Sequence, residues 1–176
     1  VFVDRFAHSS LIEGIRSTGC KIKPFKHNDV KHLEKLIKAS EAFENKFVIT
    51  ESVFSTEGSI APFDEIYKSA MENDVIPIID DSHGIGVIGK TGKGILEEKN
   101  INNFEGIYTA STGKALGVNG GIVSSSFRII EFLRYSSPSL LYSTALAPVL
   151  IAGILKALQI VEKDGENLVN SLSQNK

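Results

Sequence analysis

The feature that most constrains how this chain can fold is an alternation. Short apolar runs rich in β-branched residues take turns with segments whose apolar residues recur at helical spacing. Parallel strands need a long crossover between them, and a helix laid on the sheet supplies one. The alternation therefore predicts an α/β fold, a mostly parallel sheet flanked by helices. Strands are expected at Val1 to Val3, Lys21 to Phe25, Phe47 to Thr50, Ile76 to Asp80, Gly106 to Ala110 and Gly121 to Ser124. Helical spacing covers Ser9 to Thr18, Val30 to Phe43, Phe63 to Asn73, Phe127 to Tyr135 and Ala145 to Lys163. Asn28 or Asp29 would cap the second helix, and Pro148 suits the first turn of the last one, where a missing amide is harmless. Pro77 is expected to open the fourth strand, because a proline within a central strand removes a ladder donor.

Composition narrows the function classes. The 176 residues are 42% hydrophobic, which can supply one ordinary core and predicts a single domain over 1–176. The 19 basic and 21 acidic residues give a net charge of −2 with no run of either sign, so nucleic acid is not an expected partner. Cys20 is the single cysteine, so neither an internal disulfide nor a cysteine metal knuckle can form, and no metal site is expected. No stretch approaches the roughly 18 apolar residues of a membrane span, and a cytoplasmic location is the expectation. A first residue other than Met and a polar tail, Ser171 to Lys176, read as a piece of something longer.

Gly84-Ile85-Gly86-Val87-Ile88-Gly89-Lys90-Thr91 satisfies both the nucleotide-triphosphate P-loop pattern and the dinucleotide fingerprint. Each pattern works only when its glycines follow a strand directly and open a helix whose first turn holds phosphate. Here Asp81-Ser82-His83 intervenes, and Gly92-Lys93-Gly94 is poor helix material. A P-loop nucleotide-binding domain is thus the weaker alternative, and a glycine-rich loop after an acidic strand end the stronger one.

Ile78-Ile79-Asp80-Asp81-Ser82-His83-Gly84 is followed further on by Ser111-Thr112-Gly113-Lys114-Ala115-Leu116-Gly117. Ligands of open parallel sheets collect at the carboxyl ends of the strands, so Asp80, His83, Ser111 and Lys114 can converge there. Taken singly, Asp80 could cap a loop and Lys114 could be a solvated surface charge. Together they suit pyridoxal phosphate, which needs a lysine amine for its aldehyde, a carboxylate for its ring nitrogen, and hydroxyls or amides for its phosphate.

At these residues the chain resembles the α-oxoamine synthases, a branch of the fold type I pyridoxal-phosphate enzymes. Ala7-His8-Ser9-Ser10 is similar to the family's asparagine-histidine-alanine-serine segment, and His27-Asn28-Asp29 to its histidine-asparagine-aspartate turn. Glu51-Ser52-Val53-Phe54-Ser55-Thr56-Glu57-Gly58, Asp80 to Gly89, Ser111 to Gly117 and Tyr142-Ser143-Thr144-Ala145-Leu146 follow in the family's order. Phe6-Ala7, Thr56-Glu57 and Ser111 depart from the family's leucine-asparagine, methionine-aspartate and threonine.

The resemblance implies the large cofactor-binding domain of such an enzyme, without an upstream segment and a C-terminal small domain. Lys114 would carry the cofactor, Asp80 would pair with its ring nitrogen, and His8 would stack on its ring. Ser55 and His83 would contact its phenolic oxygen, Ser111 its phosphate, and Glu51 would support the substrate end. Ser143 and Thr144 would reach the phosphate in a neighbouring subunit, which implies a homodimer with shared sites. Amino acid and acyl thioester would be the substrates of a decarboxylative condensation. A non-catalytic subunit of the same fold is the alternative from another class.

Overall fold

The computed structural model describes residues 1–175, and Lys176, the last residue of the expected tail, lies outside them. Six strands form one sheet: β1 (Phe2–Asp4), β2 (Lys23–Phe25), β3 (Phe47–Glu51), β4 (Ile76–Asp80), β5 (Ile107–Ser111) and β6 (Gly121–Ser124). Their order across the sheet is β2-β1-β3-β4-β5-β6. All neighbours run parallel except β6, which turns back antiparallel to β5. The helices are α1 (Ser9–Ser17), α2 (Val30–Lys38), α3 (Phe63–Glu72), α4 (Ile95–Glu98), α5 (Phe127–Ser136), α6 (Pro138–Leu141) and α7 (Pro148–Gln174). The expected α/β class and each expected strand are present, β4 and β6 with the expected ends and the others displaced by one or two residues.

The two faces of the sheet are covered differently, as the pleat dictates. Phe2, Val48 and Ile79 point into the larger core with Leu33 and Ile37 of α2 and Phe63 and Ile66 of α3. Their strand neighbours Val3, Ile49 and Ile78 point the other way and meet Ile15 of α1. A third cluster joins Ile85, Ala110 and Leu116 to Leu158 and Val161 of α7.

Three expectations need correction. Pro77 lies inside β4 rather than at its start, paired with Val48. The Asp81 amide donates to Thr109 of β5, so the Pro77 nitrogen, four residues back on the same side, also faces β5. Pairing with β5 begins only at Ile78, and no ladder bond is lost. Helix α2 stops at Lys38 rather than near Phe43. There the Ser40 hydroxyl donates to the Leu36 carbonyl and competes with the backbone, while Asp29 caps the other end by accepting from the His32 amide. Helix α7 outruns its expected end at Lys163 and takes in Ser171 to Gln174 of the supposed tail. Gly165 makes this possible, since its bare Cα lies against the Thr91 carbonyl.

Candidate active site

The carboxyl ends of β3, β4 and β5 assemble the site, and register decides which residues share it. Glu51 pairs with Asp80, and Asp80 with Thr109, so the three form a row across neighbouring strands. Beyond the ends of these strands the chain enters the loops that carry Ser55, His83 and Lys114.

Lys114 Nζ lies 2.7 Å from His83 Nε2. Burial pushes the His83 imidazole below its ordinary value, and the Lys114 charge pushes it the same way against the pull of Asp80. The ring is therefore neutral near pH 7, and its Nε2 accepts from Lys114 Nζ. Burial raises the Glu51 carboxyl, and Asp80 adds to this, while the hydrogen bond from the His8 amide opposes it together with the charges of His8 and Lys114. These mutual influences bring His8, Glu51, Asp80, His83 and Lys114 into one electrostatic neighbourhood.

Hydrogen bonds fix the surrounding backbone. The His8 amide donates to Glu51 Oε1 at 2.5 Å, which ties the start of α1 to the end of β3. His8 Nδ1 accepts from the Ser10 amide and caps α1, while the residue itself stays exposed. Asp80 Oδ1 accepts from the Ser82 amide at 2.9 Å. Ser82 Oγ in turn accepts from the Ser111 amide at 2.8 Å, and Ser111 Oγ accepts from the Gly113 amide at 3.3 Å. The loops bearing Asp80 and Lys114 are thereby linked through Ser82, a residue that sequence reasoning passed over.

Asp81, one residue past β4, is fully buried beneath this surface. Its Oδ2 accepts from the Tyr108 hydroxyl at 2.9 Å and the Ile95 amide at 3.1 Å, while Oδ1 has no hydrogen-bond partner. Burial pushes the carboxyl up to about 6, against the opposing influence of the Ser52 and Tyr108 hydroxyls and the Ile95 amide. A Cβ on Gly84 would collide with Asp81 Oδ1, and one on Gly94 with Oδ2. These two glycines therefore make a socket for a carboxylate. This excludes the P-loop reading of the segment, since α4 opens only at Ile95 and its first amide serves Asp81.

Of the residues singled out in the sequence, His8, Glu51, Asp80, His83, Ser111 and Lys114 are thus connected. Ser55 sits exposed in the turn after β3. Ser143 and Thr144 are exposed in the loop between α6 and α7, where Ser143 Oγ donates to the Leu140 carbonyl. No hydrogen bond among the described residues joins these two to the Lys114 cluster. Among the described residues, no group of three or more His, Cys, Asp or Glu is arranged to hold a metal, and no helix is long and apolar enough to cross a membrane.

The sequence pattern of the family "Aminotransferase class I and II" matches residues 1–176. A protein of Methanococcus vannielii, provisionally named 8-amino-7-oxononanoate synthase, is 38% identical over 99% of this chain and 47% of its own length. The erythroid-specific mitochondrial 5-aminolevulinate synthase of Opsanus tau is 32% identical over 99% of this chain and 30% of its own length. The crystal structure of 8-amino-7-oxononanoate synthase from Francisella tularensis superimposes with a TM-score of 0.82 at 31% identity, covering 99% of this chain and 50% of that one. The chain spans about half the length, or less, of the relatives it matches. Fold, residue pattern and these likenesses together show that the chain belongs to the class I and II aminotransferase family, in its α-oxoamine synthase branch.

Proposed function

We propose that this chain is the cofactor-binding large domain of a pyridoxal-phosphate-dependent C-acyltransferase, joining an amino acid to an acyl thioester with loss of carbon dioxide. The observation that carries the reading is the 2.7 Å contact of Lys114 Nζ with a neutral His83, beside the Asp80 carboxylate on the adjoining strand end. The donor set fits the cofactor. Lys114 offers the amine, Asp80 a carboxylate for the ring nitrogen, His8 and His83 imidazoles for the ring, and Ser55 and Ser111 hydroxyls at its margin. When bound, pyridoxal phosphate supplies an electron sink for the charge left on the amino acid's α-carbon.

Residues of the chain perform the remaining tasks. Lys114 Nζ would take the α-proton, and His83 Nε2 orients that nitrogen. Asp80 would hold the ring nitrogen, its Oδ1 steadied by the Ser82 amide. Glu51, with its raised carboxyl, holds the His8 amide and so fixes the base of the loop that presents the His8 ring.

The finer assignment is L-alanine with a pimeloyl thioester, giving 8-amino-7-oxononanoate for biotin biosynthesis. The names of several relatives support it, as does the loop His83-Gly84-Ile85-Gly86-Val87. Glycine with acetyl-CoA, the glycine C-acetyltransferase reaction, is the second reading, favoured by the shared Asp81-Ser82 pair and lysine loop. A homodimer in the cytoplasm completes the proposal. The exposed apolar side chains Phe127, Phe132, Tyr135 and Tyr142 around α5 and α6 give such a dimer a surface to cover.

Borohydride reduction of the chain mixed with pyridoxal phosphate, followed by peptide mass spectrometry, tests the reading. A phosphopyridoxyl group on Lys114, absent after Lys114→Ala, is the expected result. Labelling spread over surface lysines with Lys114 unmodified would refute it. In the longer protein, spectral changes on adding L-alanine or glycine separate the two amino acids.

A further inference from the structure

Away from Lys114, three side chains from three separate segments form a continuous hydrogen-bonded chain. Asp4, the last residue of β1, is fully buried. Its Oδ1 accepts from the Phe6 amide and its Oδ2 from the Asn28 amide, both at 2.9 Å. His27 Nδ1 lies 3.0 Å from Oδ1. A carboxylate only accepts, so the imidazole carries a proton on Nδ1 and, when neutral, presents Nε2 as an acceptor. Ser59 Oγ stands 2.8 Å from that Nε2 and donates to it.

The ring that links acid to hydroxyl is held on every side. Phe6 stacks on it with centroids 4.6 Å apart, and Phe54 meets it edge-on at 4.4 Å. Asn28 Nδ2 lies 3.2 Å from the same Nε2 that serves Ser59. Carboxylate, imidazole and hydroxyl in this order also describe a hydrolytic serine. A ring packed between two aromatics, with Nε2 shared, suits a strut better than a proton carrier.

What the strut connects gives it a purpose. Asp4 opens the turn that leads to His8, and its carbonyl accepts from the Ala7 amide at 3.0 Å. Ser59 closes the turn that carries Ser55: its carbonyl accepts from the Phe54 amide at 3.0 Å, and the Gly58 amide donates to the Phe54 carbonyl at 2.8 Å. His27 comes from the β2–α2 loop. Strands β2, β1 and β3 are adjacent, and beyond their ends the Arg5 amide still donates to the Phe25 carbonyl at 3.1 Å and the His8 amide to Glu51, but among the described bonds only the Asp4–His27–Ser59 chain ties the His8 turn to the Ser55 turn through side chains.

We propose that Asp4, His27 and Ser59 form a positioning relay that sets the gap between His8 and Ser55. The inference rests on the cofactor reading above, in which these two residues border the ring.

Hydrogen exchange of the chain, read by mass spectrometry for residues 5–9 and 53–59, tests the relay without reference to activity. Pyridoxal phosphate titrations are run alongside. Ser59→Ala removes one hydrogen bond, which should speed exchange in both segments and weaken cofactor binding, each roughly 3- to 10-fold. Ser59→Thr, which restores the hydroxyl, should return both to their original values. His27→Phe keeps the ring packing, loses both polar contacts, and should do at least as much as Ser59→Ala. Faster exchange confined to 53–59 overturns the relay, because coupling through His27 is its content. Equal behaviour of Ser59→Ala and Ser59→Thr overturns it too, as does a fluorophosphonate adduct on Ser59, which would mark a nucleophile. A chain that binds no pyridoxal phosphate would sink the cofactor reading alone, and the exchange data would still decide the relay.

Discussion

Lys114 Nζ and His83 Nε2 are 2.7 Å apart although 31 residues separate them in the chain. The contact exists because β4 and β5 are parallel neighbours whose exit loops leave the same edge of the sheet. Burial and the lysine charge keep the imidazole neutral, so it can accept and thereby aim the amine.

Removing that acceptor should leave Lys114 present but poorly directed. His83→Ala is expected to slow attachment of pyridoxal phosphate to Lys114 by roughly 10- to 100-fold, the scale of cost for a misplaced reacting group. His83→Gln, which keeps an acceptor, should recover part of the loss. Stopped-flow absorbance after mixing with cofactor gives both rates.

Asp81 makes stability depend on pH in a defined direction. Its carboxyl titrates from the ordinary 3.8 when unfolded and from about 6 when folded. Between those values the folded chain keeps a proton that the unfolded chain has released, so stability falls as pH rises through the window. Above it the penalty is complete, on the order of 3 kcal/mol. Glu51, also raised, acts in the same sense, whereas His83, lowered, acts in the opposite one just below 6.5. Asp81→Asn should therefore flatten the difference in urea-unfolding free energy between pH 4 and pH 7. An unchanged slope would place the titration elsewhere.

The Tyr108 hydroxyl donates to the Asp81 carboxylate at 2.9 Å. Tyr108→Phe should cost about 1.5–3 kcal/mol, the range for a hydrogen bond to a charged group. It should also push the Asp81 carboxyl still higher, moving the pH window upward. Denaturant titrations at pH 5, 6, 7 and 8 separate the two effects.

Two helical glycines should respond oppositely to the same change. Gly14 in α1 has open space where a methyl would be added, with nothing within 4 Å, so Gly14→Ala gains helix propensity and should stabilise by about 1 kcal/mol. On Gly165 of α7 a Cβ would collide with the Thr91 carbonyl oxygen. Overpacking there costs about 1–3 kcal/mol and should exceed the propensity gain. Calorimetric melting temperatures moving in the same direction would refute the packing of α7 on the glycine loop.

Much of the fold was legible because its signals are local. β-branched runs and helical spacing mark β4 and β6 to the residue and α1, α3 and α5 nearly so. Where a tertiary contact decides, the sequence misleads. α2 ends early because a Ser40 hydroxyl turns to a carbonyl, and α7 continues because Gly165 admits Thr91. At the site, Asp80, His83 and Lys114 stood out through their residue types and strand-end positions. Ser82, Asp4 and Ser59 did not, since a hydroxyl or a buried acid acquires its partner only when distant loops meet. The pair Asp80-Asp81 was visible, but its division of labour was not: one carboxylate faces the site while the next is sealed in a glycine socket.

Glu51, Asp80 and Thr109 lie in one row that crosses three strands against the grain of the sheet. A molecule gripping that row would touch the ends of three strands at once. Its affinity is then transmitted to the middle of the sheet as resistance to heat, by about 2.7 kcal/mol at a hundredfold excess over its dissociation constant. Saturation of this edge and survival of the whole layer at elevated temperature become a single event.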